Sequence, residues 1–253
     1  MKFRIIFVVV FFLCASFAFA HEDVRNLSLS AKGIDKLEID CGAGFLKVNG
    51  QKGLTEIKVE AEIVIEGKSE KNAEEFLKKY LDLSLEKRGS RAVLTSGFKE
   101  YFSFFSFGNK LINLTVSMPA EMDLDVDDGS GYIKIEDIAG NLVIDDGSGD
   151  IEIVNNKGNV DVDDGSGEIE LEEINGDVSV DDGSGEIKVE GVSGDVSVDD
   201  GSGAIIIRNI GGSVTVRDGS GSITIDGVEK DVYIPSDGGG SIRVNNVKGK
   251  VRY

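Results

Sequence analysis

A chain of 253 residues with 46 acidic against 27 basic side chains, a formal net charge of −19, is a poor candidate for binding nucleic acid or an anionic lipid surface. Of its two cysteines, Cys14 lies in the N-terminal apolar stretch, so an exported form keeps only Cys41 and has no intramolecular disulfide. One histidine, His21, and no tryptophan leave little material for general acid–base chemistry or sugar stacking.

In chain order, Lys2 and Arg4, the apolar run from Ile5 to Leu13 and Ala18-Phe19-Ala20 predict a Sec-type secretory signal over residues 1–20, with His21 opening the mature chain. The run is short for a spanning helix, and Cys14 follows Phe11-Phe12-Leu13 rather than a small residue, which argues against a lipid anchor. The expected product has no transmembrane span after signal cleavage and is periplasmic, displayed on the cell surface or secreted.

Residues 21–120 are predicted to form an N-terminal β-rich capping region with one helix. Leu37–Val48 reads as strand, turn, strand, and Ile57, Val59, Ala61, Ile63 and Ile65 alternate as a longer strand. Ser69 opens an amphipathic helix whose apolar stripe is Ala73, Phe76, Leu77, Tyr80 and Leu81. Strands over Leu83–Leu85 and Ala92–Thr95 flank a hairpin turn at Arg88-Gly89-Ser90. Six aromatics then fall within ten residues, Phe98, Tyr101, Phe102, Phe104, Phe105 and Phe107, with no strand alternation. Such a segment is a hydrophobic lid over the helix or rod end, a partner-docking or membrane-touching loop, or a carbohydrate-stacking site, the last weakened by the absence of tryptophan; its six rings are the candidate partner contacts. Ile112, Leu114, Val116 and Met118 lead through Pro119 into the remainder.

Residues 121–253 restate one 18-residue pattern, with turn glycines at Gly129, Gly147, Gly165, Gly183, Gly201 and Gly219 and a further copy at Ser236–Ser241 that arrives one residue late. Within a copy, Ile187, Val189, Val196 and Val198 alternate with polar neighbours, so each copy holds two short half-buried strands joined by two turns, Asp-Asp-Gly-Ser-Gly and Gly191-Val192-Ser193-Gly194. Eighteen residues are too few for a propeller blade and suit one coil of a parallel β-helix. The fold class expected is all-β: a two-sheet β-solenoid of about seven regular coils, with the β-rich cap and its helix at the N-terminal end. In-register stacking would put Lys134 against Glu152, Glu170 against Lys188 and Glu190 against Arg208.

Two aspartate columns run through the copies. The first, Asp127, Asp145, Asp163, Asp181 and Asp199, gives way to Arg217 and Ser236 and is expected to face solvent; the second, Asp128, Asp146, Asp164, Asp182, Asp200, Asp218 and Asp237, is unbroken and falls at the coil corner. Aspartate there accepts hydrogen bonds from the following turn amides, so the expected role is a repeated turn cap. The alternative is a calcium ladder in which Asp128, Asp146, Asp164, Asp182, Asp200 and Asp218 hold divalent cations that relieve carboxylate repulsion; only one turn per coil is acidic, unlike the two of calcium-binding β-rolls. No other cofactor is expected. Leu37–Val48 matches the strand–turn–strand half of a copy, with Cys41 at the second aspartate position as a buried, inert thiol.

The lead-in through Pro119 and the Gly-Ser-Gly-x-Ile turns, as in Gly183-Ser184-Gly185-Glu186-Ile187, resemble the bacterial putative-adhesin family of exported β-strand repeat domains, over roughly residues 35–253. The resemblance implies an adhesive role without catalysis. The doubled aspartate and the regularity of the copies depart from it. Aspartates recurring coil after coil argue against a catalytic pair, which is a local exception in a fold. The reading is therefore an exported, non-catalytic β-solenoid acting as an adhesin or envelope scaffold toward a surface protein or glycan. The alternatives are a calcium-stabilised acidic β-roll and a structural protein that associates end to end through its last coil.

Overall fold

The computed structural model describes residues 20–99 and 109–253. In chain order its elements are β1 (Ala20–Ser30), β2 (Lys36–Ala43), β3 (Leu46–Gln51), β4 (Glu56–Glu66), α1 (Glu70–Tyr80), β5 (Leu81–Arg88), β6 (Arg91–Phe98), β7 (Lys110–Pro119), β8 (Asp123–Ser130), β9 (Ile133–Glu136), β10 (Leu142–Asp146), β11 (Ile151–Asn156), β12 (Val160–Asp164), β13 (Ile169–Ile174), β14 (Val178–Asp182), β15 (Gly185–Val192), β16 (Val196–Asp200), β17 (Gly203–Ile210), β18 (Val214–Asp218), β19 (Gly221–Val228), β20 (Val232–Ser236), β21 (Ser241–Val247) and β22 (Val251–Arg252).

The strands form two eleven-stranded sheets, ordered β1-β4-β7-β3-β9-β11-β13-β15-β17-β19-β21 and β22-β20-β18-β16-β14-β12-β10-β8-β2-β6-β5. From β8 onward every neighbour is one repeat away and parallel, as in Ile151 opposite Ile169 and Leu142 opposite Val160. This is the expected two-sheet β-solenoid with 18 residues per turn. Its core is a set of aliphatic columns, among them Leu142, Val160, Val178, Val196, Val214 and Val232 from one sheet and Ile133, Ile151, Ile169, Ile187, Ile205 and Ile223 from the other, all buried. A single coil buries too few aliphatics to offset the entropy of ordering its residues; stacking supplies both the ladder hydrogen bonds and the second layer of packing.

The repeat also reaches back into the N-terminal third. β2 pairs in parallel with β8, bringing Cys41 opposite Asp128, and β3 pairs in parallel with β9. β2 and β3 are thus a full coil; the chain then departs through β4, α1 and β5, and β6 and β7 come back to pair in parallel with β2 and β3. β1, β4 and β7 extend one sheet, with β4 antiparallel to both neighbours. β5 and β6 make the predicted hairpin at Gly89, extending the other. α1 buries Ala73, Phe76 and Leu77, while Leu81, assigned to the same stripe by its spacing, already opens β5.

One local feature differs from the sequence expectation, and a second places the extra residue of the last copy. The second turn is narrower than Gly191–Gly194, because Val192 continues β15 and is 1% exposed. A left-handed residue precedes it in each coil: Asp137 (φ 61°), Asn155 (57°), Glu173 (57°), Gly191 (73°), Asn209 (57°), Gly227 (78°) and Asn246 (51°). That residue breaks the strict alternation, so Ile138, Asn156, Ile174, Val192, Ile210 and Val228 all turn inward as one more core column. The late residue of the last full copy belongs to a strand, not the glycine turn: the register between β18 and β20 shifts so that Arg217 faces Ser236, placing a bulge at Pro235. The glycines of the acidic turn are demanded by stacking. A Cβ on Gly167 (φ 153°) would lie 1.6 Å from the carbonyl oxygen of Gly149 in the coil below.

Candidate functional site

The parity of each short strand places the two aspartate columns. In β10, Leu142 and Ile144 point inward, so Asp145 points to solvent and Asp146 points in at the corner. The inner column is almost fully buried, with exposures of 4% for Asp128, 2% for Asp146, Asp164, Asp182 and Asp218, and 1% for Asp200. In each of the later coils one carboxylate oxygen accepts the backbone N–H two residues on. Ser148, Ser166, Ser184, Ser202 and Ser220 donate to Oδ1 of Asp146, Asp164, Asp182, Asp200 and Asp218 at 3.3, 3.1, 3.0, 2.9 and 2.8 Å. The geometry is that of an Asx turn, as the turn-cap reading requires.

The second oxygen is different. Oδ2 of Asp146, Asp164, Asp182, Asp200 and Asp218 is buried without a hydrogen-bond partner. Asp128 makes no hydrogen bond of normal geometry, but the Cys41 thiol and the Gly129 and Ser130 amides beside it favour its charged form and partly offset burial. Burial therefore raises the pKa of each inner aspartate, to about 6 at Asp146, Asp164 and Asp200. Neighbouring carboxylates in the column add to it: Asp128 and Asp164 act on Asp146, and Asp182 and Asp218 act on Asp200. At the N-terminal end of the column the Cys41 thiol is held well above its usual range by burial first and by the Asp128 charge second, which makes it an unreactive thiol.

These carboxylates form a line with one member per coil. Among the described residues no three His, Cys, Asp or Glu side chains gather into a group that could hold a metal ion. By their contacts Asp146, Asp164, Asp182, Asp200 and Asp218 cap their turns. The outer aspartates are exposed, and Arg217 stands in register between Asp199 and Ser236.

A second ladder escaped the sequence reading. In the other turn, side-chain oxygens of Asp123, Asn141, Asn159, Asp177 and Asp195 accept the backbone N–H of Asn141, Asn159, Asp177, Asp195 and Ser213 in the next coil, at 2.8, 3.0, 3.0, 2.8 and 2.7 Å. The recurrence of Asn or Asp every 18 residues was the available signal. On the outer faces, Lys134 pairs with Glu152 at 2.8 Å, and Lys188 pairs with Glu170 and, at 3.3 Å, with Glu172. Glu190 and Arg208 share the register but form no ion pair among the described residues.

Of the six aromatic candidates, Phe98 is half-buried at the end of β6, its ring 5.5 Å from Phe76, which stacks in turn 5.0 Å from Tyr80. It packs the helix onto the hairpin. Tyr101, Phe102, Phe104, Phe105 and Phe107 lie outside the described residues, as does the predicted signal except for Ala20. Among the described residues no helix is long and apolar enough to cross a membrane.

Among solved structures the chain is similar to a putative cell adhesion protein from Clostridium sporogenes ATCC 15579, at 13% identity, with 92% of this chain and 98% of that one covered and a TM-score of 0.30. A putative adhesin from Bacteroides fragilis NCTC 9343 gives 11%, 91%, 96% and 0.42, and a putative lipid binding protein from Parabacteroides distasonis ATCC 8503 gives 11%, 91%, 93% and 0.46. No curated protein shows a significant match. The family model described as Toastrack DUF4097 matches residues 34–235, from the loop before β2 into β20, and the chain belongs to that family.

Proposed function

We propose that this chain is an exported, non-catalytic β-solenoid that serves as an adhesive or envelope-associated scaffold. The observation that carries the reading is the pair of eleven-stranded sheets, parallel and in register from β8 through β19, a stiff stack whose charged outer faces repeat coil by coil. Catalytic centres are local breaks in a pattern, with an acid, a base and a binding cavity converging at one place. Here the inner aspartates recur in every coil, and five of them accept backbone turn amides. The irregular elements β1, α1, β5, β6 and β7 are concentrated at the N-terminal end, and the aromatic segment Phe98–Phe107 joins two of them. In this reading that end is the contact surface for a surface protein or glycan, with the acidic stack as a spacer.

The test uses the full chain and its Phe104→Ser/Phe105→Ser variant, measuring association with isolated cell envelopes and thermal unfolding of both. Lost association at an unchanged melting temperature supports docking through the segment. A large drop in melting temperature makes the segment a lid, and wild-type protein that ignores envelopes overturns the proposal.

A further inference from the structure

Six inner carboxyl groups stand one per coil in a buried corner, and in five of them, Asp146, Asp164, Asp182, Asp200 and Asp218, Oδ2 is buried without a hydrogen-bond partner. Strand spacing puts successive members about 4.8 Å apart. Buried carboxylates without a donor are costly, whereas a protonated carboxyl supplies its own donor. We propose that the inner aspartate column is a proton-binding array, in which protonation removes the unpaired buried charge and the solenoid takes up protons as it folds.

The groups facing the column support this occupant. They are Cys41 on β2 at one end, Asp127, Asp181 and Asp199 of the outer column alongside, with Arg217 taking that position next to Asp218, Asp150 in the turn beside Asp164, and Asp237 at the other end. All but the exposed Arg217 are acidic or thiol groups. The inward residues of the opposing strands, Ile151, Ile169, Ile187, Ile205 and Ile223, are aliphatic. An array of this kind titrates as a unit, its protons belonging to the column rather than to one residue.

The sign follows from the raised pKa. The folded form binds protons that the unfolded chain has lost between about pH 4 and pH 6, so the stabilisation is complete below the unfolded value and disappears as pH rises through the folded one. For a carboxyl moved from 3.8 to about 6, the folding constant is about tenfold larger at pH 5 than at pH 7.5. The inference is independent of the adhesive role.

The experiment is urea unfolding of the full chain at pH 7.5 and pH 5, compared with the inner-column variant Asp164→Asn/Asp182→Asn and the outer-column variant Asp163→Asn/Asp181→Asn. Asparagine keeps the Oδ1 acceptor for the turn amide and removes the titration. The expected result is a higher midpoint at pH 5 for the wild type and the outer variant, and a much smaller rise for the inner variant. Equal rises in both variants would attribute the effect to general charge neutralisation and overturn the proposal. So would a midpoint at pH 7.5 raised by millimolar calcium but not by magnesium, which would make the column a cation site. If the inner variant does not fold, carboxyl carbon NMR of the wild type decides: no aspartate titrating above about pH 5 refutes the array.

Discussion

Asn156 is the one polar residue in the inward column formed by Ile138, Ile174, Val192, Ile210 and Val228, and it is 1% exposed. Its Nδ2 donates to the Gly158 carbonyl at 2.8 Å, while its Oδ1 is buried without a partner. Asn156→Val substitutes a side chain that the coil of Val192 already carries at that position. Removing the orphan acceptor recovers about 1–3 kcal/mol, and burying an aliphatic side chain adds about 1.5–3 kcal/mol before packing losses. Against this stands one neutral hydrogen bond of about 1 kcal/mol, lessened because the half-exposed Gly158 can be hydrated. The variant should be more stable by about 1–3 kcal/mol in urea unfolding followed by circular dichroism, at an unchanged denaturant slope. Asn156→Asp, which buries a charge in the same place, should be strongly destabilising. An Asn156→Val protein less stable than wild type would refute the reasoning and make the amide an organiser of the turn.

Gly167→Ala drives a methyl into the Gly149 carbonyl, and a loss of more than about 3 kcal/mol or of soluble folded protein is expected, whereas Gly42→Ala, with nothing within 4 Å, should unfold within about 0.5 kcal/mol of wild type. Glu173 sits at φ 57° in a column where two coils use glycine, so Glu173→Gly should raise stability by up to about 1 kcal/mol; a clear loss would contradict the strain assigned to that position. Lys134→Met removes ion pairs to Glu136 and Glu152 that are only partly buried, and a change of about 1 kcal/mol or less is expected, shrinking further in high salt.

Architecture was legible because the chain is periodic. Once Ile187, Val189, Val196 and Val198 alternate, and the same spacing recurs every 18 residues, stacking is the one arrangement that buries every coil against another, and the Lys134–Glu152 pairing follows from the same register. The match of Leu37–Val48 to a copy likewise located the coil of β2 and β3, with Cys41 opposite Asp128. The cap was legible only as separate elements, because β4 and β7 pair through contacts distant in sequence.

The amino-acid sequence by itself determined the repeat length, the two-strand coil, the exposed and inward aspartate columns and the turn-cap chemistry, since all of these depend on local parity and turn geometry. Tertiary structure decided the rest. The left-handed column at Asp137, Asn155 and Glu173 has no single residue type to announce it, because what it accomplishes is to turn the next residue into a core that exists only after stacking. The bulge at Pro235 was readable as one extra residue, but its place was set by which backbone amides found partners in β18. The orphan carboxylate oxygens arise in the same way: a turn cap satisfies one oxygen locally, and only the coils above and below it remove water from the other.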